Sequence, residues 1–169
     1  MQAEEILELI RSRRSVRRFQ DRPVDEEMVD RILEAGRWAP SGRNNQPWRF
    51  VVVREAGLKE RIASFTKYGS VIKNAAVIIP VFIHHPSMYS EVKDYQSVGA
   101  CLQNMLLMAH AQGLGAVWLG EILKNAGPVR DTLGLSDDLE LMAVIALGWP
   151  QGQGESRRRE MDELLLGSH

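Results

Sequence analysis

An arginine-rich segment near the amino terminus, residues 13–19, is the first place where the residue types suggest chemistry. If the chain is extended there, Arg13, Ser15 and Arg17 project from one side, because strand side chains alternate. Two guanidinium groups and a hydroxyl in a row suit a phosphate and a planar ring edged with oxygen atoms. Taken alone, the segment fits a solvated basic patch better, and a nucleic-acid contact is a further interpretation.

A second candidate is the polar stretch over residues 40–47, which combines two prolines, a glycine and two asparagines. This composition predicts a loop, and the loop directly precedes an apolar strand. Loops held by a rigid scaffold are where ligand sites tend to lie. An ordinary polar turn that Trp48 anchors to the strand is the alternative, so the functional prediction rests on Pro40, Ser41 and Asn44.

Other reactive residue types do not form a recognisable site. His84 and His85 are adjacent, so in a strand they point to opposite faces and cannot bind one metal ion together. No acidic residue or cysteine stands at zinc-like spacing from them, and no metal site is predicted. Cys101, the only cysteine, is interpreted as a core residue. A single cysteine excludes a disulfide within the chain and indicates a reducing compartment.

The composition is that of an ordinary folded domain. The 169 residues are 44% hydrophobic and 25% charged, which argues against disorder and predicts one domain over residues 1–169. The formal net charge of −1 gives the molecule no general attraction to nucleic acid or to anionic membranes. The closing residues 167–169 are consistent with an added tail, and nothing rests on them.

No targeting or membrane segment is predicted. The first residues include three glutamates, unlike the cationic start of a signal peptide. The longest apolar run, residues 75–83, is too short to cross a bilayer. We therefore expect a cytoplasmic protein that binds neither membranes nor nucleic acid.

Hydrophobic periodicity predicts a mixture of helices and strands. Helices are expected over residues 3–12, from an N-cap at Asp25 onward, and over 56–65, 94–112, 122–133 and 160–166; strands are expected over 49–53, 76–83, 115–119 and 141–147. The order does not alternate regularly between strand and helix, which favours an α+β sandwich over a doubly wound fold. The helix over 94–112 is apolar nearly all round, which predicts burial on several sides and cover from a second subunit.

Five stretches, taken in order, resemble the FMN-dependent nitroreductase family. They are Arg13-Arg14-Ser15-Val16-Arg17; Ala39-Pro40-Ser41 with Asn44-Asn45-Gln46-Pro47-Trp48; Val98-Gly99-Ala100 with Gln103-Asn104-Met105-Leu106; Gly113-Leu114-Gly115-Ala116-Val117-Trp118-Leu119-Gly120; and Leu147-Gly148-Trp149-Pro150 ahead of Arg157-Arg158-Arg159. The resemblance spans nearly the whole chain. It implies a mostly antiparallel central sheet flanked by helices, in an intertwined homodimer with shared flavin sites.

The resemblance also implies which residues contact FMN. One chain would supply the basic segment for the phosphate, ribityl chain and pyrimidine edge, the backbone that faces flavin N5, and a basic tail at the phosphate; the partner would supply the loop after the second helix. The corresponding residues are Arg13, Arg14, Ser15 and Arg17; Leu119, Gly120 and Glu121; Arg158, with Arg157 or Arg159 as alternatives; and Pro40, Ser41, Gly42 and Asn44 from the partner. Lys67 is the first candidate for a further pyrimidine contact, ahead of Lys73 and Asn74.

The implied activity is reduction of nitroaromatics, quinones or similar small electron-poor acceptors by NADH or NADPH, in a ping-pong mechanism on FMN. No catalytic acid or base of the protein is expected, since the flavin carries the chemistry. Alternatives within the superfamily are a flavin destructase and a dehalogenase, and alternatives outside it are a non-catalytic flavin-binding module and an RNA binder. The short segment over residues 84–97 predicts an open pocket, without the substrate cover that the first two activities need.

Overall fold

The computed structural model describes residues 2–152 and 154–167, so residues 168 and 169 of the tail lie outside it. Four antiparallel strands form one sheet: β1 (Trp48–Phe50), β2 (Val77–His84), β3 (Gly115–Leu119) and β4 (Leu139–Gly148), in the order β1-β2-β4-β3. The helices are α1 (Ala3–Ser12), α2 (Glu26–Arg37), α3 (Ala56–Ala63), α4 (Gly69–Asn74), α5 (Glu91–Ala111), α6 (Ala126–Thr132) and α7 (Met161–Leu164). The predicted α+β sandwich is confirmed. Within the described residues, none of these helices is long and apolar enough to cross a membrane.

The core lies on both faces of the sheet. Along β2, alternate side chains face opposite layers, because strand side chains have a period of two residues. Ile79, Val81 and Ile83 pack with α2 and α5, whereas Ile78 and Phe82 pack with α3, α4 and α6. Both central strands, β2 and β4, are covered on both faces, which is why they read as nearly continuous apolar runs.

Helix α5 packs closely against α2. A Cβ atom at Gly36 would lie 2.8 Å from Met105 Cγ and 3.1 Å from Cys101 Sγ, so the glycine permits the close approach. Cys101 is fully buried there, and burial raises the pKa of its thiol to about 12. The thiol therefore stays protonated and serves as a core side chain.

Several predicted bounds were wrong, for local reasons. Strand β1 ends at Phe50, and Val53 only forms an isolated bridge to Ile78. Helix α4 was not predicted because six residues are too few to show a helical period. The helix predicted over 122–133 is a 3-10 turn followed by α6, and the predicted 160–166 helix shrinks to the four residues of α7.

Helix α5 begins at Glu91, three residues before the predicted start, and a buried carboxylate explains the difference. Asp94 is fully buried and accepts hydrogen bonds from the backbone N–H groups of Tyr89 (2.9 Å) and Ser90 (2.8 Å). Burial alone would raise its pKa, but these bonds and one from Asn45 outweigh burial, and the pKa lies below the usual range. The ionised carboxylate thus fixes the first turn of the helix.

The same carboxylate ties the loop before β1 to α5. Asn45 Nδ2 donates to Asp94 at 2.7 Å and to the carbonyl of Ser87 at 2.9 Å. Close by, the Tyr89 ring lies against Gly42, where a Cβ atom would come within 1.8 Å of its hydroxyl oxygen. The position of the 41–46 turn therefore depends on the amino-terminal end of α5.

The expected need of α5 for cover by a partner was only partly right. Its apolar stripe is already buried within one chain, against α2 and the sheet. Exposed large apolar side chains cluster on α1 (Ile6, Leu7 and Ile10) and on the carboxy-terminal segment (Met161, Leu164, Leu165 and Leu166), and others lie elsewhere, among them Val92 on α5, Trp38 and Trp118. Clusters of this kind are typical of surfaces that bind a partner.

Replacing Asp94 by Asn is expected to lower the free energy of unfolding by about 1.5–3 kcal/mol at neutral pH, because buried hydrogen bonds to a charged acceptor are lost. The native pKa lies below the unfolded value, so this contribution is complete above the unfolded pKa of about 3.9 and disappears as the pH falls through the native one. Denaturant unfolding at about pH 7 and about pH 3 checks this, since the gap between wild type and variant should shrink at the lower pH.

The control is Asp30→Asn on the exposed face of α2, which should change little at either pH. An Asp94→Asn protein as stable as the wild type at neutral pH would contradict the anchoring role. So would a deficit that stayed constant between the two pH values.

Candidate functional site

A cluster of guanidinium groups lies where α1 ends. Arg13 and Arg14 line a cavity of about 410 Å³ together with Arg158 of the tail and Gln103 of α5. Burial, then Arg158, then Arg14 lower the pKa of Arg13, so the structure holds like charges close together. Among the described residues no carboxylate forms an ion pair with Arg13 or Arg158. Such a cluster favours binding of an anion.

The neighbours of Arg13 are held by the main chain. Arg14 Nη1 donates to the carbonyls of Arg11 and Arg13, and Arg158 Nη1 donates to Ser156 Oγ and to the carbonyl of Arg157 at 2.9 Å. A guanidinium has five N–H donors, so both side chains keep donors for a ligand. Arg13 is therefore the centre of a partly organised anion site.

The rest of the basic segment runs beside β3. Val16 N donates to the carbonyl of Ala116 at 3.0 Å, next to a parallel bridge between Ser15 and Ala116. Ser15 and Arg17 line a hollow of about 160 Å³, but Val16 and Arg18 line it as well, so the hollow does not separate alternate side chains. Arg13 does not share that hollow, because it lines the cavity with Arg14 instead.

A second group surrounds the carboxy-terminal end of β3. Glu121 accepts hydrogen bonds from Thr66 Oγ1 at 2.6 Å, from Lys67 N at 3.3 Å, and from Lys124. The bonds from Lys124 and Thr66 lower the pKa of this carboxyl to about 2. Lys67 and Glu121, both predicted site residues, are therefore adjacent, although the Glu121 carboxylate binds the protein itself. Thr66 was missed, and no sequence signal marked it.

Gly120 presents an open stretch of backbone between these groups. A Cβ atom there would meet only Trp118 Nε1, at 4.0 Å, and the residue is exposed with φ −104°. Neither packing nor a left-handed conformation in the chain requires glycine at this position. A flat ligand can approach this backbone closely. Leu119 differs, since it is buried in the core.

The polar loop forms a strained turn. Arg43, Asn44 and Gln46 have φ values of 56°, 55° and 46°, in the left-handed region that non-glycine residues rarely occupy. Ser41 Oγ accepts from Gln46 N at 3.1 Å, so the hydroxyl closes the turn. Pro40 and Asn44 are exposed. Strain held in an exposed turn is typical of ligand sites.

The structure does not bring all the predicted residues together in one chain. From Ala116, beside Ser15, to Gly120 is about 13 Å along β3, at about 3.3 Å a residue. The turn, in contrast, is tied to Asp94, whereas Ser12 Oγ contacts His110 Nε2 at 2.9 Å near the other end of α5. These two points are about 24 Å apart along the helix, at about 1.5 Å a residue. Gln103, which lines the Arg13 cavity, is nine residues from Asp94, or about 14 Å along α5, so the turn and the Arg13 cluster lie at different positions along the helix.

The remaining candidates take other positions. Lys73 forms an ion pair with Glu60 at 3.0 Å, and with Asn74 it lines a separate cavity, so neither lies beside Glu121. Arg157 and Arg159 are exposed on either side of Arg158. Lys67 is thus the candidate from this region that the geometry favours.

The sequence profile of the nitroreductase family matches residues 10–69 and 65–149 of the chain. The chain is 50% identical to a protein from Desulfovibrio desulfuricans described as a nitroreductase in complex with FMN, with a TM-score of 0.94 over 97% of this chain and 96% of that one.

Two curated relatives agree in fold but differ in named activity. A Methanothermobacter thermautotrophicus protein named NADH dehydrogenase/NAD(P)H nitroreductase is 37% identical over 150 residues, which cover 86% of this chain and 78% of the relative. Rat iodotyrosine deiodinase 1 is 24% identical over 200 residues, which cover 98% and 70%. The chain belongs to the nitroreductase family.

Proposed function

We propose that this protein is an NAD(P)H-dependent oxidoreductase that binds FMN and reduces nitroaromatics, quinones or similar small electron-poor acceptors. The observation that carries the proposal is the Arg13–Arg158 cluster, which has no paired carboxylate among the described residues. The basic segment continues from it to Ser15, which bridges to Ala116, about 13 Å along β3 from the open Gly120 backbone. A ligand with a phosphate at one end and a flat ring at the other matches that spacing. Family membership and the FMN-bound relative support the same ligand.

The residues present fit FMN at its phosphate end. Arg13, Arg14 and Arg158 each offer a planar guanidinium suited to phosphate oxygens, and Ser15, in the adjoining segment, would add a hydroxyl. Arg157 or Arg159 would be alternatives to Arg158 on the exposed tail. Loss of one such charge-assisted contact typically weakens binding about 10- to 150-fold.

At the ring end, the protein positions the ring and adjusts its electrostatics. FMN, when bound, supplies the hydride chemistry, taking electrons from NADH or NADPH and giving them to an acceptor in a ping-pong sequence. The N–H groups of the Gly120 turn would face N5, and Arg17 and Lys67 would place positive charge at the pyrimidine edge, where negative charge builds on reduction. Glu121 holds Lys67 and Thr66 in place through its hydrogen bonds.

The flavin would be shared between two chains. Because the 41–46 turn is tied to Asp94, about 14 Å along α5 from the Gln103 that lines the Arg13 cavity, we infer that Pro40, Ser41, Gly42 and Asn44 reach the flavin of the partner. The exposed apolar face of α1 and the apolar tail supply surface for such a homodimer.

The segment between β2 and α5 favours small acceptors over a deiodinase-like activity. Only residues 85–90 separate His84 from Glu91, and three of them form a 3-10 turn. Six residues do not provide a lid over a bound substrate. The pocket would therefore be open and accept varied flat compounds, as expected for nitroaromatics and quinones.

The cofactor prediction is tested by releasing and rebinding the flavin. Heat-released flavin should run as FMN on chromatography, and apoprotein titrated with FMN should quench its fluorescence. Arg13→Glu should weaken FMN binding by more than about 10- to 150-fold, because it removes a contact and adds repulsion toward the phosphate. Arg31→Glu, an exposed change on α2, is the charge-matched control and should bind normally. Recovery of FAD, or normal FMN binding by Arg13→Glu, would refute the proposal.

Mixing two variants that do not bind FMN tests whether two chains contribute to each flavin site. Arg13→Glu should prevent binding at the site to which its own chain supplies Arg13, and Ser41→Arg should block the site to which its chain supplies the 41–46 turn. In a mixed dimer, symmetry places both lesions in one site and leaves the other intact. Refolding equal amounts together should give mixed dimers for about half of the molecules, so about a quarter of all sites should bind FMN.

The control is wild-type protein refolded in the same way, which should recover full FMN binding. If that control succeeds while the mixture stays as empty as either parent, then the two segments do not serve one flavin from opposite chains.

A further inference from the structure

A second basic cavity lies away from the proposed flavin contacts. It has a volume of about 670 Å³ and is lined by Lys59 and Lys73, by Arg22 and Arg54, and by the apolar side chains of Phe19 and Val24. Asp21 is its one lining carboxylate. None of the residues assigned to FMN in the proposed function lines this cavity. Its size is that of a small-molecule pocket. Four cations and one acid line it, and one of the cations, Lys73, already forms an ion pair with Glu60 at 3.0 Å.

The ammonium of Lys59 is the unusual feature. Its residue is only 9% exposed, and lysine is almost never that buried without a partner of opposite charge. Its Nζ donates to the carbonyl of Ala75 at 2.7 Å, and no ion pair with Lys59 is found among the described residues. An ammonium has three N–H donors, so two remain for a ligand. Burial also lowers the pKa of this group.

The other cations are held around the same space. Arg54 Nη1 donates to the carbonyl of Val24 at 2.7 Å, which holds its guanidinium against the wall of the cavity. The Arg22 guanidinium stacks on the Trp149 ring at 3.7 Å from the centroid. Both side chains are therefore oriented before any ligand binds, while a guanidinium still has free donors.

We propose that this cavity is a binding site for a phosphate monoester, with the phosphate against Lys59 and Arg54 and the organic group against Phe19 and Val24. An anion there would be the partner of opposite charge that the buried Lys59 ammonium lacks among the described residues. The apolar wall and the volume fit a nucleotide-sized molecule better than a free phosphate ion. The site is independent of the flavin site, since they share no lining residue.

Calorimetric titration of the FMN-saturated protein with adenosine monophosphate tests the site, because bound FMN blocks the Arg13 cluster. Adenosine and inorganic phosphate are the two comparison ligands. We expect the monophosphate to bind, inorganic phosphate to bind more weakly, and adenosine not to bind. Equal affinity for inorganic phosphate and the monophosphate would overturn the nucleotide-sized part of the proposal.

Lys59→Met should weaken monophosphate binding roughly 10- to 150-fold, as expected for loss of a charge-assisted hydrogen bond. Lys73→Met, at the exposed rim, should weaken monophosphate binding up to about fivefold. This variant should fold normally, so it tests the site if Lys59→Met does not fold. Arg31→Met on α2 is the charge-matched control and should bind as wild type does. No binding by wild type at millimolar ligand, or unchanged binding in both lysine variants, would overturn the site.

Discussion

Helix α5 sets the distances on which the rest of the molecule depends. It packs between α2 and the sheet along its whole apolar stripe, and its 21 residues make it about 32 Å long. Asp94 at one end holds the polar turn, while His110 at the other end contacts Ser12 just before the arginine cluster. The turn and the Arg13 cavity therefore lie at different positions along the same helix. This separation is the reason for proposing that a site that uses both is shared by two chains.

The two ends of α5 differ in how the charges beside them are compensated. At the turn, the buried carboxylate of Asp94 accepts hydrogen bonds from three donors of its own chain, so its negative charge is compensated within the fold. At the arginine cluster the reverse holds, since like charges stand together without a paired acid among the described residues. Positive charge that the fold does not neutralise is available to a ligand. The Lys59 cavity shows a similar excess of positive charge.

Much of the fold could be predicted because the core strands and α5 carry clear periodicity. The apolar run over residues 76–83 predicted a strand, and β2 (Val77–His84) confirms it. The predicted start of α5 failed because Asp94 reads as a residue that begins a helix, whereas it reaches back to Tyr89 and Ser90. Helix α4 failed because it is too short to have a period.

The site was predictable only in part. The sequence marked Arg13 and the polar loop as unusual, but Arg13 and Arg158 are far apart in the chain, and only the family resemblance paired them. Thr66 and Lys59 gave no signal, because a hydroxyl in a loop and a lysine in a helix are both ordinary on a surface. Their importance comes from tertiary contacts, which local patterns do not encode.

The central claim is that a flavin held by these residues passes electrons from a nicotinamide nucleotide to a small acceptor. Anaerobic addition of NADH or NADPH to the FMN-saturated protein, followed by a quinone, tests this claim most directly through the visible flavin absorbance. The expected result is bleaching by at least one nucleotide and recovery of the colour when the quinone is added. A protein that binds FMN but keeps its colour with both nucleotides would contradict the claim and indicate a non-catalytic flavin-binding module.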